Sequence, residues 1–144
     1  QILPTEDYFQ YAGTSSQNGF ANAVGTIPRW RTYSTLDWKM HGVDFLAGFT
    51  FVPTVEDVGS GGFGAAAPIK VPSYQQWDFS VGYNFNALKV NHWLDGLSVR
   101  LGVNNAFNYL PPVSPGGVYD TNTDLATYDG AVGRLFFGEL RYKF

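Results

Sequence analysis

A chain of 144 residues has room for one ordinary domain, yet aromatics make up 17% of it and charged residues only 15%, against roughly a quarter charged in soluble domains. A water-facing surface so poor in charge invites aggregation, and a net charge of −3 speaks against a general nucleic-acid binder, which would carry a basic patch. With no cysteine, disulfide frameworks, thiolate metal sites and cysteine nucleophiles are excluded.

No apolar run approaches the ~18 residues of a membrane-spanning helix. A transmembrane β-strand asks for less, about 9–11 residues of alternating polarity. The chain opens QILPTEDYFQ, without an initiator Met and without the basic start and apolar core of a signal peptide. A piece cut from a longer chain is the expectation that fits both features. Residues 1–28 are polar, and Gly13 to Gly19 reads as loop. They are expected to form an external loop, to which the end of a preceding strand near Tyr8–Tyr11 is a candidate addition.

From residue 29 onward five segments alternate with a period of two. The first, Trp30 to Lys39, sets Trp30, Thr32, Ser34, Leu36 and Trp38 against Arg31, Tyr33, Thr35, Asp37 and Lys39. The tight turn Met40–Gly42 leads to Val43–Val52, the least clean of the five, with Phe45, Phe49 and Phe51 opposite Asp44, Leu46 and Thr50. After a long Gly-rich link comes Tyr74–Phe85, where Trp77, Phe79, Val81 and Tyr83 oppose Gln76, Asp78, Ser80 and Gly82. Leu97–Asn104 follows a shorter link, and the last segment sets Phe136, Leu140, Tyr142 and Phe144 against Glu139, Arg141 and Lys143. Every charge in these segments lies opposite the apolar face.

A soluble sandwich with an apolar interior would show the same alternation. Three features favour a membrane barrel. The strands are about 8–12 residues long, against a mode of ~5–6 in globular sheets. Aromatics stand at strand ends, as in the girdles at membrane boundaries. Short links alternate with long ones, the asymmetry of periplasmic turns and extracellular loops. Five strands cannot close a barrel, since bacterial single-chain barrels start at about 8 and lipid does not tolerate open edges. The chain is therefore expected to be an all-β antiparallel meander forming part of a transmembrane β-barrel.

Other constellations read as scaffold. Asp120–Asp124 alternates oxygen ligands but has Leu125 where a calcium loop needs glycine and Ala131 where it needs glutamate. Gly59–Gly64 lacks the Gly-Lys-Ser/Thr ending of a phosphate loop. His41 and His92 have no third ligand and no triad spacing. No catalytic residue, metal or cofactor is expected. Arg31, Asp37, Asp78, Arg100, Glu139 and Arg141 are expected to face the lumen as a structural polar network. Tyr109, Tyr119 and Tyr128 are candidate ligand contacts in external loops.

Several motifs in order resemble the TonB-dependent receptors. Ile27-Pro28-Arg29-Trp30-Arg31 with Leu36-Asp37-Trp38 looks like a proline-led descending strand of that family. Val71-Pro72-Ser73-Tyr74 with Trp77-Asp78 and Val81-Gly82-Tyr83 is similar to a strand nearer the end. The most specific run is Leu94-Asp95-Gly96-Leu97 leading into Leu101-Gly102-Val103-Asn104-Asn105-Ala106-Phe107-Asn108. Pro111-Pro112, Tyr128-Asp129, Gly133-Arg134 and the terminal Leu140–Phe144 follow in the family's order.

The resemblance covers about residues 25–144, so residues 29–144 are expected to be the C-terminal segment of a receptor barrel. It implies the last five strands of a 22-stranded barrel in the bacterial outer membrane, not an enzyme. Implied partners are outer-membrane lipid, the N-terminal remainder of the barrel and its plug, TonB only through that plug, and a small ligand of unknown identity. Tyr142 and Phe144 resemble the signal read by the barrel-assembly machinery. The expected function is ligand uptake; the alternative is a soluble all-β carbohydrate-binding module burying the same aromatic faces.

Overall fold

A computed structural model describes residues 12–16, 25–57, 69–88, 94–113, 127–128 and 133–143. Within them the chain forms nine strands: β1 Thr14–Ser16, β2 Gly25–Ile27, β3 Thr32–Met40, β4 Val43–Val52, β5 Val55–Asp57, β6 Ile69–Val71, β7 Tyr74–Asn84, β8 Leu97–Asn104 and β9 Leu135–Tyr142. Helical structure among the described residues is limited to 3-10 turns, at Phe85–Leu88 and at Leu94. Contacts divide the chain into two units, one of residues 1–30, 53–73 and 111–128, the other of residues 31–52, 74–110 and 129–144.

The second unit is a five-stranded antiparallel sheet in the order β3-β4-β7-β8-β9. The five long strands follow one another across the sheet in chain order, an antiparallel meander, with β5 and β6 of the other sheet lying between β4 and β7 in sequence. The expected strands at Val43–Val52 and Leu97–Asn104 have these bounds in the structure, whereas the first begins at Thr32 instead of Trp30 and the last ends at Tyr142. Phe144 and the Tyr8–Tyr11 segment lie outside the described residues.

The first unit holds a second, four-stranded sheet in the order β2-β1-β5-β6. Here the structure corrects the reading of Gly13–Gly19 and Pro53–Ser73 as plain loop. β1 pairs antiparallel with β2 and parallel with β5, and β5 pairs antiparallel with β6. Three-residue strands show no period of their own, and β1 meets a partner some forty residues away (Thr14 opposite Glu56), so local alternation carries no sign of them. Val55, Val71 and Tyr128 are buried in this unit, and the Thr127 hydroxyl donates to the Thr26 carbonyl at 3.0 Å.

Proline marks where one ladder stops and the other starts. The β4–β7 ladder ends at Val52 opposite Tyr74, and the β5–β6 ladder begins at Val55 opposite Val71. Between them stand Pro53-Thr54 and Pro72-Ser73. Each proline lacks the N–H that a continued ladder needs.

The opposite ends of the long strands are closed by short connections. His41 and Gly42 both sit at positive φ, 47° and 84°, between the paired residues Met40 and Val43, as a two-residue type I′ hairpin requires. A chain of hydrogen bonds then runs along this end. The Asn84 N–H donates to the Gly42 carbonyl at 2.8 Å. Asn84 Oδ1 accepts the Asn86 N–H at 3.1 Å, and Asn86 Oδ1 accepts the Gly96 N–H at 2.6 Å. Finally the Gly96 carbonyl accepts the Lys143 N–H at 3.0 Å, which ties the end of β9 into the series.

Gly96 has φ +87°, and a Cβ there would stand 2.2 Å from the Lys143 carbonyl oxygen. Gly96→Ala is expected to destabilise the barrel by about 1–3 kcal/mol, from left-handed strain and displacement of Lys143. Urea unfolding of the lipid-reconstituted receptor, followed by the mobility of folded and unfolded bands, checks this. An unshifted midpoint would sink the argument.

Candidate functional site

Register turns the two-residue period into rows across the whole sheet. Leu36, Ala47, Phe79, Val103 and Phe136 form one row; Trp38, Phe45, Val81, Leu101 and Gly138 form the next. Met40, Val43, Tyr83, Val99 and Leu140 form a third. Toward the long connections rings gather on this face: Phe49 and Trp77 have centroids 4.3 Å apart, and Phe107 meets Phe79 edge-on at 6.4 Å. At the short-turn end Tyr83 and Phe85 meet edge-on at 5.1 Å.

In the central strands β4 and β7 the exposure is the reverse of a water-soluble sheet, with the polar face the better shielded, while the edge strands β3 and β9 are exposed on both faces. On the apolar face Leu36 is 62%, Leu101 60% and Leu140 73% exposed, while Thr50, Gln76 and Ser80 on the other face are 3%, 8% and 7% exposed. In water the exposed rows would be a contiguous apolar patch of the kind that marks an interaction or membrane surface. In lipid they are the matching surface. A sandwich-type module would bury this face instead.

The polar face carries its own row: Lys39, Asp44, Gly82, Arg100 and Glu139. Gly82 leaves the ground between Asp44 and Arg100 open. A Cβ at Gly82 would stand 3.6 Å from Arg100 Nε, so the guanidinium lies across this position and pairs with the Asp44 carboxylate. Arg100 also donates to the Ser80 hydroxyl at 3.2 Å. On the same face the Phe137 ring lies over Gly102, where a Cβ would meet it at 2.3 Å. A concavity of about 480 Å³ opens here, lined among others by Asp44, Asn84, Ser98, Arg100 and Arg141.

The expected polar network resolves into separate groups. Asp37 pairs with Lys39 at 3.0 Å and Glu139 with Arg141 at 2.5 Å, both within one strand and solvent-accessible. Arg100 pairs with Asp44, which the network expected from sequence left out. Its parity was readable, but a partner two strands away becomes visible only with the register. Arg31 lies just before β3 and is exposed.

Asp78 belongs to a different arrangement. The Tyr74 hydroxyl donates to Gln76 Oε1 at 2.7 Å, and Gln76 Nε2 donates to both Asp78 oxygens at 3.0 and 3.2 Å. Asp78 Oδ1 also accepts the backbone N–H of Asn105 at 2.8 Å. Asn105 is buried, with φ 51°. Its amide side chain closes a ring with Tyr109, donating to that residue's carbonyl at 2.7 Å and accepting its N–H at 2.8 Å.

Of the candidate ligand contacts, Tyr109 is exposed and Tyr128 is buried at 1%. Burial takes the Tyr128 ring out of reach of an external ligand and gives it a packing role. Tyr119, His92, Asp120–Asp124 and Gly59–Gly64 lie outside the described residues. Among the described residues no group of three or more His, Asp or Glu side chains gathers as metal ligands. No helix there is long and apolar enough to cross a membrane, which has no bearing on crossing by strands.

An antiparallel meander with an exposed apolar face and a hydrogen-bonded polar one is the wall of a transmembrane β-barrel. The family described as TonB dependent receptor-like, beta-barrel, matches residues 5–106. This chain belongs to that family, a family of receptors and transporters of the bacterial outer membrane rather than of enzymes. The match begins earlier than the motifs at Ile27 and stops at Ala106, within the motif after β8. No curated protein and no solved structure matches the chain.

The partly buried Arg100–Asp44 pair is expected to show a coupling of about 1.5–3 kcal/mol in a double-mutant cycle with alanine. Gly82→Val, by blocking the path of the guanidinium, should cost about as much as Arg100→Ala and add little to it. Full additivity of Gly82→Val and Arg100→Ala in unfolding midpoints would show that Gly82 does not serve the pair.

Proposed function

We propose that this chain supplies wall strands and external connections of a receptor that takes up a ligand across the outer membrane. The observation that carries the reading is the inverted exposure at β4 and β7 of the five-stranded sheet, with leucine, valine and aromatic rows outward and Thr50, Gln76 and Ser80 shielded. A ten-residue strand such as β4 is about 34 Å long. At the ~40° tilt of such barrels it rises about 26 Å, the height of the apolar band that lipid requires.

In this reading the polar face of β3, β4, β7, β8 and β9 borders the lumen, where Asp44, Asp78, Arg100 and Arg141 meet a plug supplied by the remainder of the receptor. Residues 29–144 are barrel, and the long connections contribute to the external surface, with Tyr109 as a ligand contact. Energy for release enters through TonB by way of the plug. Tyr142 and Phe144 are the residues addressed by the barrel-assembly machinery.

Substitution of the two faces tests the orientation. Leu101→Arg, at mid-strand on the apolar face, is expected to cost about 2–4 kcal/mol in lipid and to reduce the heat-modifiable form in outer membranes. Ser98→Arg, on the opposite face, should assemble at close to the normal level. Equal tolerance of both, or a monodisperse and cooperatively folding chain without detergent, would overturn the reading.

A further inference from the structure

The five long strands contain four carboxylates, Asp37, Asp44, Asp78 and Glu139. Three pair with a cation of the same sheet, Lys39, Arg100 and Arg141 respectively. Among the described residues Asp78 takes only neutral donors: the Gln76 amide and the Asn105 N–H. Its charge is therefore committed to holding backbone, at the point where β8 leaves the sheet. An ionised acceptor roughly doubles the strength of a hydrogen bond, and a left-handed, buried Asn105 needs such a fixed point.

Everything downstream is set from Asn105. Its side chain occupies both backbone groups of Tyr109, and its carbonyl accepts the Asn108 N–H at 2.8 Å. Asn108, also left-handed at φ 56°, accepts the Arg134 N–H on Oδ1 at 2.9 Å. Arg134 is the residue before β9. Both ends of the long β8–β9 connection are thus fastened by two asparagines, and the fastening rests on one carboxylate of the polar face.

We propose that Asp78 is the positioning residue of the β8–β9 connection: from the polar face of β7 it fixes Asn105, and through it the backbone of Tyr109. The exposed Tyr109 ring is then presented by a clamp that reports on the state of the lumen wall. This rests on the reading of Tyr109 as a ligand contact, but the clamp itself is measurable without any ligand.

The test is amide hydrogen exchange on the lipid-reconstituted receptor. Asp78→Ser cannot reach Asn105 and is expected to speed exchange at Asn105 and Tyr109 about tenfold, with Phe79–Tyr83 unchanged. Asp78→Asn keeps an acceptor oxygen but not the charge, and should restore part of the protection, a graded rescue that a general packing role would not give. Should Asp78→Ser fail to assemble, a partial loss of protection at Asn105 and Tyr109 in Asp78→Asn is read in its place, and Asn105→Gly separates the side-chain ring from the carboxylate. Glycine accepts the left-handed φ, so only the side-chain ring is lost, and Tyr109 alone should lose protection. Unchanged exchange at Tyr109 in the assembled variant overturns the proposal, as does a loss spread evenly along β7 and β8. Released Tyr109 with undiminished TonB-dependent uptake would leave the clamp standing and remove Tyr109 from the ligand contacts.

Discussion

In a strand every second side chain shares a face, so the residue-by-residue pairing of β3, β4, β7, β8 and β9 decides which surface each residue serves. A slip of one residue would carry Trp77, Phe79 and Val81 to the polar side and Gln76, Asp78 and Ser80 to lipid. The structure guards against that slip at both ends. The type I′ turn at His41-Gly42 pins the first hairpin, and the hydrogen bonds from Gly42 to Lys143 align the short-turn end across to β9. At the other end the Ala106 N–H reaches the Trp77 carbonyl at 2.8 Å, and Asp78 holds Asn105.

The two faces solve different problems. Outward, area and apolarity suffice, and the rows tolerate residues as unlike as Ala47, Gly138 and Phe136. Inward, the shielded polar groups of β4 and β7 need partners, because a buried unpaired group is costly. Glycine leaves room for long side chains on that face. At Gly82 the guanidinium of Arg100 lies across the position on its way to Asp44, and at Gly102 the missing side chain admits the Phe137 ring. The polar wall is thus built from long side chains lying down rather than from short ones standing up.

How much of this was readable from sequence follows the range of the interactions. Phe79 and Val81 announce their face through their immediate neighbours, and the Met40–Gly42 turn announces itself through its glycine, so the five strands and their sidedness were plain. The pairing of Asp44 with Arg100 spans 56 positions, and charge parity alone does not choose it over Lys39 or Arg141. The Asn105 clamp was visible only as part of a resemblance, since nothing local says that an asparagine amide replaces a strand partner for Tyr109. β1, β2, β5 and β6 were hidden because three residues hold too little of any period, and Tyr128 because a tyrosine in a polar connection reads as exposed whether or not the fold covers it.

The prolines at 53 and 72 carry a consequence for where such a protein tolerates change. Beyond Val52 and Tyr74 the ladder of the wall has already ended, so a change of length between Thr54 and Val71 need not alter the pairing of β4 with β7. Changes of length there are expected to leave the register of the wall as it is. Two residues without an amide proton thus separate the part of the molecule open to changes of length from the part whose register is fixed.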